Sequence, residues 1–158
     1  MIGSDVFLSE VTTTSTEQLA PVGTIRSYID VTHGFQQYRM VKATADIAAK
    51  ELVAFAAGSS VNAAKSAATS PAAATIAGIA VGAIASGSYG WVCCSGQVTG
   101  IADAAVTQGA LIFGSATDGQ LDDTSEDGIE EAALGVAITD GSGFSDGEDL
   151  VVRLSGLI

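Results

Sequence analysis

Apolar and polar residues alternate along two neighbouring stretches near the start of the chain. Residues 22–31 read VGTIRSYIDV and residues 35–43 read FQQYRMVKA. A period of two is typical of a half-buried β-strand. The residues THG, at positions 32–34, join the two stretches. A short link that contains glycine between two such stretches predicts a β-hairpin.

The later part of the chain has the same character in shorter pieces. Apolar runs of strand length are separated by clusters of Gly, Asp and Ser. Such spacing favours a sandwich or barrel over alternating strands and helices. We therefore predict one mainly β domain, a small antiparallel β-barrel or sandwich. The runs are 75–85, 91–98, 110–113, 132–139 and 150–157.

Two stretches in the middle of the chain leave alternatives open. Residues 46–58, DIAAKELVAFAAG, fit a short helix that ends at Gly58, but ELVAF fits a strand equally well. Residues 55–75 are rich in Ala and Ser, with a possible N-cap at Ser60 and a stop at Pro71. We expect a loop there, with a short helix as the alternative.

An internal repeat strengthens the β prediction. The sequence GIAV at 78–81 returns as GVAI at 135–138, and WVCCSG at 91–96 returns as VVRLSG at 151–156. A Gly/Ser-rich loop joins the two pieces in both copies. Since a solenoid needs about three or more repeats, two copies predict two related hairpins in one barrel or sandwich.

The first 20 residues differ from the rest. Their threonine-rich stretch VTTTSTEQ has no helical face and few groups to bury, so residues 1–20 are predicted to be an extended arm. The β-rich domain is then 21–158. The beginning of the chain lacks a basic region followed by an apolar run, which makes an intracellular setting the expectation.

Charge and hydropathy exclude several classes of partner. The net charge is −12, and from Ala102 onward twelve acids stand against Arg153 alone. Such a chain repels phosphate backbones and anionic membranes, so neither nucleic acid nor membrane is expected as a partner. The apolar run of 14 residues at 72–85 is shorter than the ~20 residues of a membrane span, and it predicts a buried strand instead.

Few residues are candidates for chemistry. His33 is the only histidine, it lies in the predicted turn, and no nucleophile elbow accompanies it. With two cysteines and one histidine a zinc site lacks a ligand, and no phosphate-binding glycine motif is present. We expect no catalytic residue, cofactor or metal. Within the acidic stretch 122–134, Asp123, Ser125 and Asp127 have the spacing of calcium ligands, but Leu134 stands where the bidentate Glu belongs, which favours a solvated loop.

The adjacent cysteines, Cys93 and Cys94, mark the orientation of a strand. Alignment of the two repeat copies puts Cys94 with Leu154 and Cys93 with Arg153. Since strand neighbours point to opposite faces, Cys94 is predicted in the core and Cys93 on the more exposed face. Cys93 and Arg153 are therefore candidate interface residues.

Several stretches resemble the small head-decoration proteins of tailed bacteriophages, also called capsid cement proteins. They are PVGTIRSYIDVTHGFQQYRMVKA, GIAVGAIASGSYGWVCCSG, VTQGALIFGSATDGQL and LGVAI with VVRLSG, within residues 21–158. The resemblance implies a β-tulip-like domain that trimerises on the outside of the phage head. It also implies a virion protein, made in the host cytoplasm, that bridges neighbouring major capsid proteins and stabilises the shell without catalysis.

From this resemblance we expect the arm to dock on the capsid through its apolar side chains. The candidates are Phe7, Leu8, Val11 and Leu19. Two other functions fit a β-rich chain without an active site: another virion part, such as a tail or receptor-binding component, and a carbohydrate-binding module. Trp91 and Tyr89 would be the sugar-stacking candidates in such a module.

Overall fold

A computed structural model describes residues 14–56, 58–59, 62–65, 75–124, 133–141 and 143–156, with 62–65 described by their backbone alone. The described residues form β-strands and turns without an α-helix. The prediction of a mainly β domain is therefore confirmed. The strands are β1 (Ile25–Asp30), β2 (Gly34–Ala43), β3 (Leu52–Phe55), β4 (Asn62–Lys65), β5 (Ile76–Ala80), β6 (Tyr89–Ala102), β7 (Leu111–Gly114), β8 (Leu121–Asp122), β9 (Gly135–Ala137) and β10 (Glu148–Leu154).

The predicted hairpin is present as β1 and β2. The two strands pair antiparallel, from Ile25 opposite Arg39 to Asp30 opposite Gly34. The Asp30 carboxylate accepts hydrogen bonds from the backbone N–H groups of His33 and Thr32, each at 2.7 Å, and lies 2.9 Å from Nδ1 of His33. These backbone bonds lower the pKa of Asp30. His33 is an exposed turn residue, as predicted.

Five strands close into a first barrel. β2 pairs with β4, β4 with β3, β3 with β5, β5 with β6, and β6 returns to β2. Closure matters because it removes the free edges through which strands pair with other chains. The β2–β4 pairing is parallel. The barrel therefore differs in this one pairing from the antiparallel barrel that the sequence predicts.

Five strands also close into a second barrel, and one of them is shared with the first. β6 pairs with β8, β8 with β7, β7 with β9, β9 with β10, and β10 returns to β6. The 14-residue strand β6 is long enough to serve the first barrel with its beginning and the second barrel with its end. Its pairing with β8 is again parallel.

The two barrels are copies of one unit, which extends the predicted repeat well beyond two hairpins. In the first barrel Ile79 lies opposite Cys93, and in the second Val136 lies opposite Arg153. The match continues through the turns: the bridge between Ile47 and Ile84 corresponds to the bridge between Val106 and Gly141. Each repeat copy is therefore a complete five-stranded barrel.

The interiors of the two barrels are filled differently at equivalent positions. In the first barrel, Ile84 packs against Gly90, where a Cβ atom would lie 2.5 Å from Cδ1 of Ile84. In the second barrel the same two positions hold Gly141 and Leu150, both buried. The large and small residues have exchanged places, which conserves the filled volume.

One apolar cluster fills the first barrel and another joins the barrels. The first-barrel cluster contains Val41, Ala43, Ile47, Val53, Ala77, Ala80, Ile84 and Val92. The joining cluster runs from Leu52, Ile79 and Cys93 on the outside of the first barrel into the second barrel, where Ile112 and Leu121 are fully buried. The two barrels therefore share a core as well as a strand.

The middle of the chain resolves as strands. Of the alternatives for 46–58, the strand at ELVAF is correct, since β3 covers Leu52–Phe55. The loop or short helix expected over 55–75 is wrong in part, because Asn62–Lys65 forms β4. The buried strand expected from the apolar run is present as β5, whose five residues are all buried. No helix among the described residues is long and apolar enough to cross a membrane.

The prediction that Cys93 is more exposed than Cys94 is wrong, since both side chains are fully buried. β6 carries a β-bulge here: Tyr38 lies opposite Cys93 and Gln37 opposite Ser95, so Cys94 has no partner of its own. Cys93 keeps the register of Arg153, since it lies opposite Ile79 as Arg153 lies opposite Val136, but its face of the first barrel is covered by the second barrel. Cys93 itself lies in the cluster that joins the barrels.

We predict that a methyl group at Gly78 or Gly135 destabilises the protein. A Cβ atom would collide with the carbonyl oxygen of Cys93 at the first position and of Arg153 at the equivalent second position. Because backbone atoms give way poorly, Gly78→Ala and Gly135→Ala should each cost about 1–3 kcal/mol in unfolding free energy, measured by urea denaturation. Gly143→Ala is the control, since nothing lies within 4 Å of its Cβ position. Equal stability of all three variants would contradict this close strand packing.

We also predict that neither cysteine reacts in the native protein. Burial raises the pKa of Cys93 to about 12 and also raises the pKa of Cys94. Since the thiolate is the reactive form, a thiol reagent at pH 8 should label both residues only after unfolding in urea. Rapid labelling of either cysteine without urea would contradict the buried bulge.

Candidate interaction surfaces

Large exposed apolar side chains of the described residues concentrate in two places. The first, the hairpin patch, consists of Ile29, Val31 and Phe35. The second, the second-barrel patch, consists of Leu111 and Val136. Clustered apolar exposure of this kind marks surfaces that meet a partner.

The hairpin patch lies at the free end of the β1–β2 hairpin. Ile29 and Phe35 are directly opposite one another and are 73% and 53% exposed. β1 is the terminal strand in the order of the described strands, so no described strand pairs with its outer edge. The sequence contains an indication of this patch. Tyr28 and Ile29 are adjacent apolar residues, and because neighbouring side chains of a strand point to opposite faces, only one of the two can face the core.

The second-barrel patch lies on two paired strands, β7 and β9, and Arg153 on β10 lies beside it. Leu111 lies opposite Val136, and Val136 lies opposite Arg153. The groove at this place has a volume of about 230 Å³ and is lined by all three residues. Arg153 is exposed, as an interface residue must be. Cys93 is buried within its own chain, so its prediction as an interface residue is wrong.

A larger cleft of about 360 Å³ lies between the turn of the hairpin and the middle of β6. Two polar side chains of its lining are bonded to each other and to the backbone. The Tyr38 hydroxyl donates to Oε1 of Gln36 at 2.9 Å, and the Gln36 amide donates to the carbonyl of Gln97. Burial, the largest cause, raises the pKa of Tyr38. These bonds fix the hairpin against β6.

Basic side chains near the first barrel lie over aromatic rings. Arg26 lies 5.2 Å from the ring centroid of Trp91, and Lys42 lies 5.7 Å from that of Tyr89. Such placement is weakly attractive. Trp91 is only 1% exposed, so it offers no stacking face to a sugar. This burial removes the main support for a carbohydrate-binding module.

The end of the predicted arm lies against the domain. Ser15 and Tyr89 exchange backbone hydrogen bonds of 3.2 and 2.9 Å, and Ala20 is buried. Leu19, a predicted capsid contact, is 41% exposed. The other three predicted contacts, Phe7, Leu8 and Val11, lie outside the described residues, so capsid docking stays a prediction.

The structure describes two acids of the acidic stretch 122–134, Asp122 and Asp123. Asp122 accepts hydrogen bonds from the backbone of Asp123 and Thr124, and Asp123 accepts one from the backbone N–H of Thr107 at 3.0 Å. The bonds of Asp122 are local to its own turn, and the bond of Asp123 ties this turn to the one that contains Thr107. Within the described part of the chain no three acids, cysteines or histidines are grouped as metal ligands.

The fold is similar to that of a solved phage protein. No protein-family model and no curated protein matches the chain. Among solved structures, the base of the head fiber gp8.5 of bacteriophage phi29, an N-terminal piece, matches with a TM-score of 0.52 and 16% sequence identity. The match covers 84% of this chain and 95% of that one. The two chains therefore share a fold over nearly their whole lengths.

Proposed function

We propose that this chain is a structural protein of a phage virion that binds the outside of the head. In this proposal it acts without catalysis, assembles as a homotrimer and stabilises the shell by bridging neighbouring major capsid proteins. The observation that carries the proposal is the shared fold with the base of a phage head fiber, over 84% of this chain.

Three features of the molecule support a structural role. Both barrels are closed, and a shared strand and a shared core join them into a stiff body. Five of the seven large exposed apolar side chains among the described residues lie in the two patches, which suit protein partners. The net charge of −12 keeps a protein present in many copies soluble.

The threonine-rich arm supplies a means of reaching a neighbouring protein. In the proposal Phe7, Leu8, Val11 and the exposed Leu19 contact the capsid, while the backbone of Ser15 holds the arm to the first barrel. An extended segment of this kind binds by pairing with a strand edge and by placing side chains in pockets. Contacts repeated over the chains of a trimer add avidity.

We predict that Phe7→Ser, Leu8→Ser and Val11→Ser together weaken binding to isolated, expanded heads. Each apolar side chain of this size contributes about 1.5–3 kcal/mol when buried, so the loss should reach at least ~100-fold. Co-sedimentation of the purified protein with heads that lack it measures the affinity. Thr12→Ala, Thr13→Ala and Thr14→Ala together serve as the control within the same arm.

Full binding by the serine variant would exclude the arm from the capsid contact. Failure of the unaltered protein to bind heads at all, with binding to tails instead, would replace the proposed function by that of a tail component. Mass measurement by light scattering tests the trimer, for which three times 15.7 kDa is expected.

A further inference from the structure

The backbone of Lys50 has a conformation that favours glycine. Its φ is +71°, and no other described residue except glycine has a positive φ. The equivalent residue in the second barrel is Gly109, with a φ of +82°. The N–H of Lys50 donates to the carbonyl of Ala80 at 2.7 Å. The N–H of Gly109 donates to the carbonyl of Ala137 at 3.0 Å, so the two turns match. A lysine in this turn is strained, whereas a glycine is not.

Lys50 and the two residues after it contact the second barrel. Nζ of Lys50 lies 2.6 Å from Oδ2 of Asp149 on β10. The side chain of Glu51 lies against Gly119, where a Cβ atom would be 2.8 Å from Cγ of Glu51. The N–H of Leu52 donates to the carbonyl of Gly119 at 2.7 Å. This turn of the first barrel is therefore a point of attachment between the barrels.

The equivalent turn of the second barrel is open. Gly109 is exposed, no described atom lies within 4 Å of its Cβ position, and Leu111 is 55% exposed. The sequence has Lys50 and Glu51 in the covered turn but Gly109 and Ala110 in the open one. The repeat copies thus differ in residue type at the positions where they differ in contact. This difference indicates that the lysine is present for its contact with the other barrel.

The ion pair between Lys50 and Asp149 adds little to the free energy of unfolding. The two side chains are 43% and 57% exposed, and exposed pairs contribute weakly. The strain in the backbone of Lys50 opposes even this contribution. Strained residues of this kind cluster where a residue has a function. We propose that Lys50 is a latch: its ion pair with Asp149 holds the turn before β3 against β10 and fixes the orientation of one barrel relative to the other.

The orientation of the barrels matters for both candidate surfaces. The hairpin patch is joined to the first barrel through β2, and the second-barrel patch lies on the other barrel, so the latch determines how the two patches are presented together. Lys50 also lines the cleft between the turn of the hairpin and the middle of β6. Because salt screens exposed charges, the latch opens at high ionic strength. The latch does not depend on head binding.

Hydrogen exchange at the amide of Leu52 tests the latch, because the bond of this N–H crosses from one barrel to the other. Asp149→Ala and Lys50→Met each remove the ion pair. Each should accelerate exchange at Leu52 about two- to fivefold in NMR measurements on the full chain, the loss expected of an exposed pair. The double variant should exchange no faster than either single variant, because both changes remove the same contact. The N–H of Ile84, bonded within the first barrel at 2.8 Å, is the control and should keep its rate.

Salt gives the same test without a substitution. In about 1 M sodium chloride the unaltered chain should exchange at Leu52 as fast as Asp149→Ala does, because screening removes the attraction. Asp149→Ala itself should not respond to the salt. Unchanged exchange at Leu52 in both single variants, or an equal acceleration at Ile84, would overturn the latch.

Two further variants test the strain, with the repeat as the matched control. Lys50→Gly and Lys50→Met both lack the ion pair, but only glycine relieves the backbone, so Lys50→Gly should unfold at the higher urea concentration. Gly109→Lys places the same residue in the open turn, where it gains strain without a partner. It should unfold at a lower urea concentration than the unaltered chain and leave exchange at Leu52 unchanged. Equal urea midpoints for Lys50→Gly and Lys50→Met would show that the lysine is unstrained and would contradict the proposal.

Discussion

The structure depends on one strand that belongs to two closed barrels. β6 has 14 residues. Its first half is the last strand of the first barrel, and its second half is the first strand of the second barrel. The crossing between barrels falls at Gly96, which has a φ of +95° and lies against the backbone of Phe35 and Gln36. A side chain at that position would be strained and obstructed at once. Because the strand cannot leave one barrel without disturbing the other, both barrels are bound to one orientation.

Sharing a strand explains how equivalent positions acquired different environments. The two barrels repeat the same pairings, but only one outer face of this kind is covered within the chain. Cys93 is therefore buried where its counterpart Arg153 is exposed. The same reasoning accounts for Leu52 and Leu111, which share a register position and differ completely in exposure. The two copies have the same strand pairings, and their equivalent residues differ in exposure because only one copy has its outer face covered by the other barrel.

The sequence predicts the strands well and their assembly poorly. Alternation located β1 and β2, and the return of GIAV as GVAI located β5 and β9. The sequence repeat does not reveal that β2 also belongs to the repeated unit. The counterpart of β2 is the second half of β6, and these two segments have little sequence in common. β4 lies in Ala- and Ser-rich sequence without alternation. It is a strand through its pairing with β2 on one side and β3 on the other, which local sequence does not reveal.

The cysteines show a different limit. The repeat places Cys93 on the outer face of the first barrel, as Arg153 is on that of the second, but its burial depends on the second barrel that covers this face. No residue type in the sequence marks the bulge at Cys94. The exposed patches were missed for a related reason, since exposure depends on which barrel face the chain itself covers. Residues such as Leu111 and Val136 look like core residues in the sequence, and only the arrangement of the barrels reveals them as surface.

Scanning calorimetry of the intact chain tests the central claim, that the barrels share a strand and a core, most directly. Barrels joined in this way unfold together, so the account predicts one transition whose calorimetric enthalpy equals its van't Hoff enthalpy. Two separate transitions, or a calorimetric enthalpy about twice the van't Hoff value, would show that the barrels unfold independently and would contradict the account.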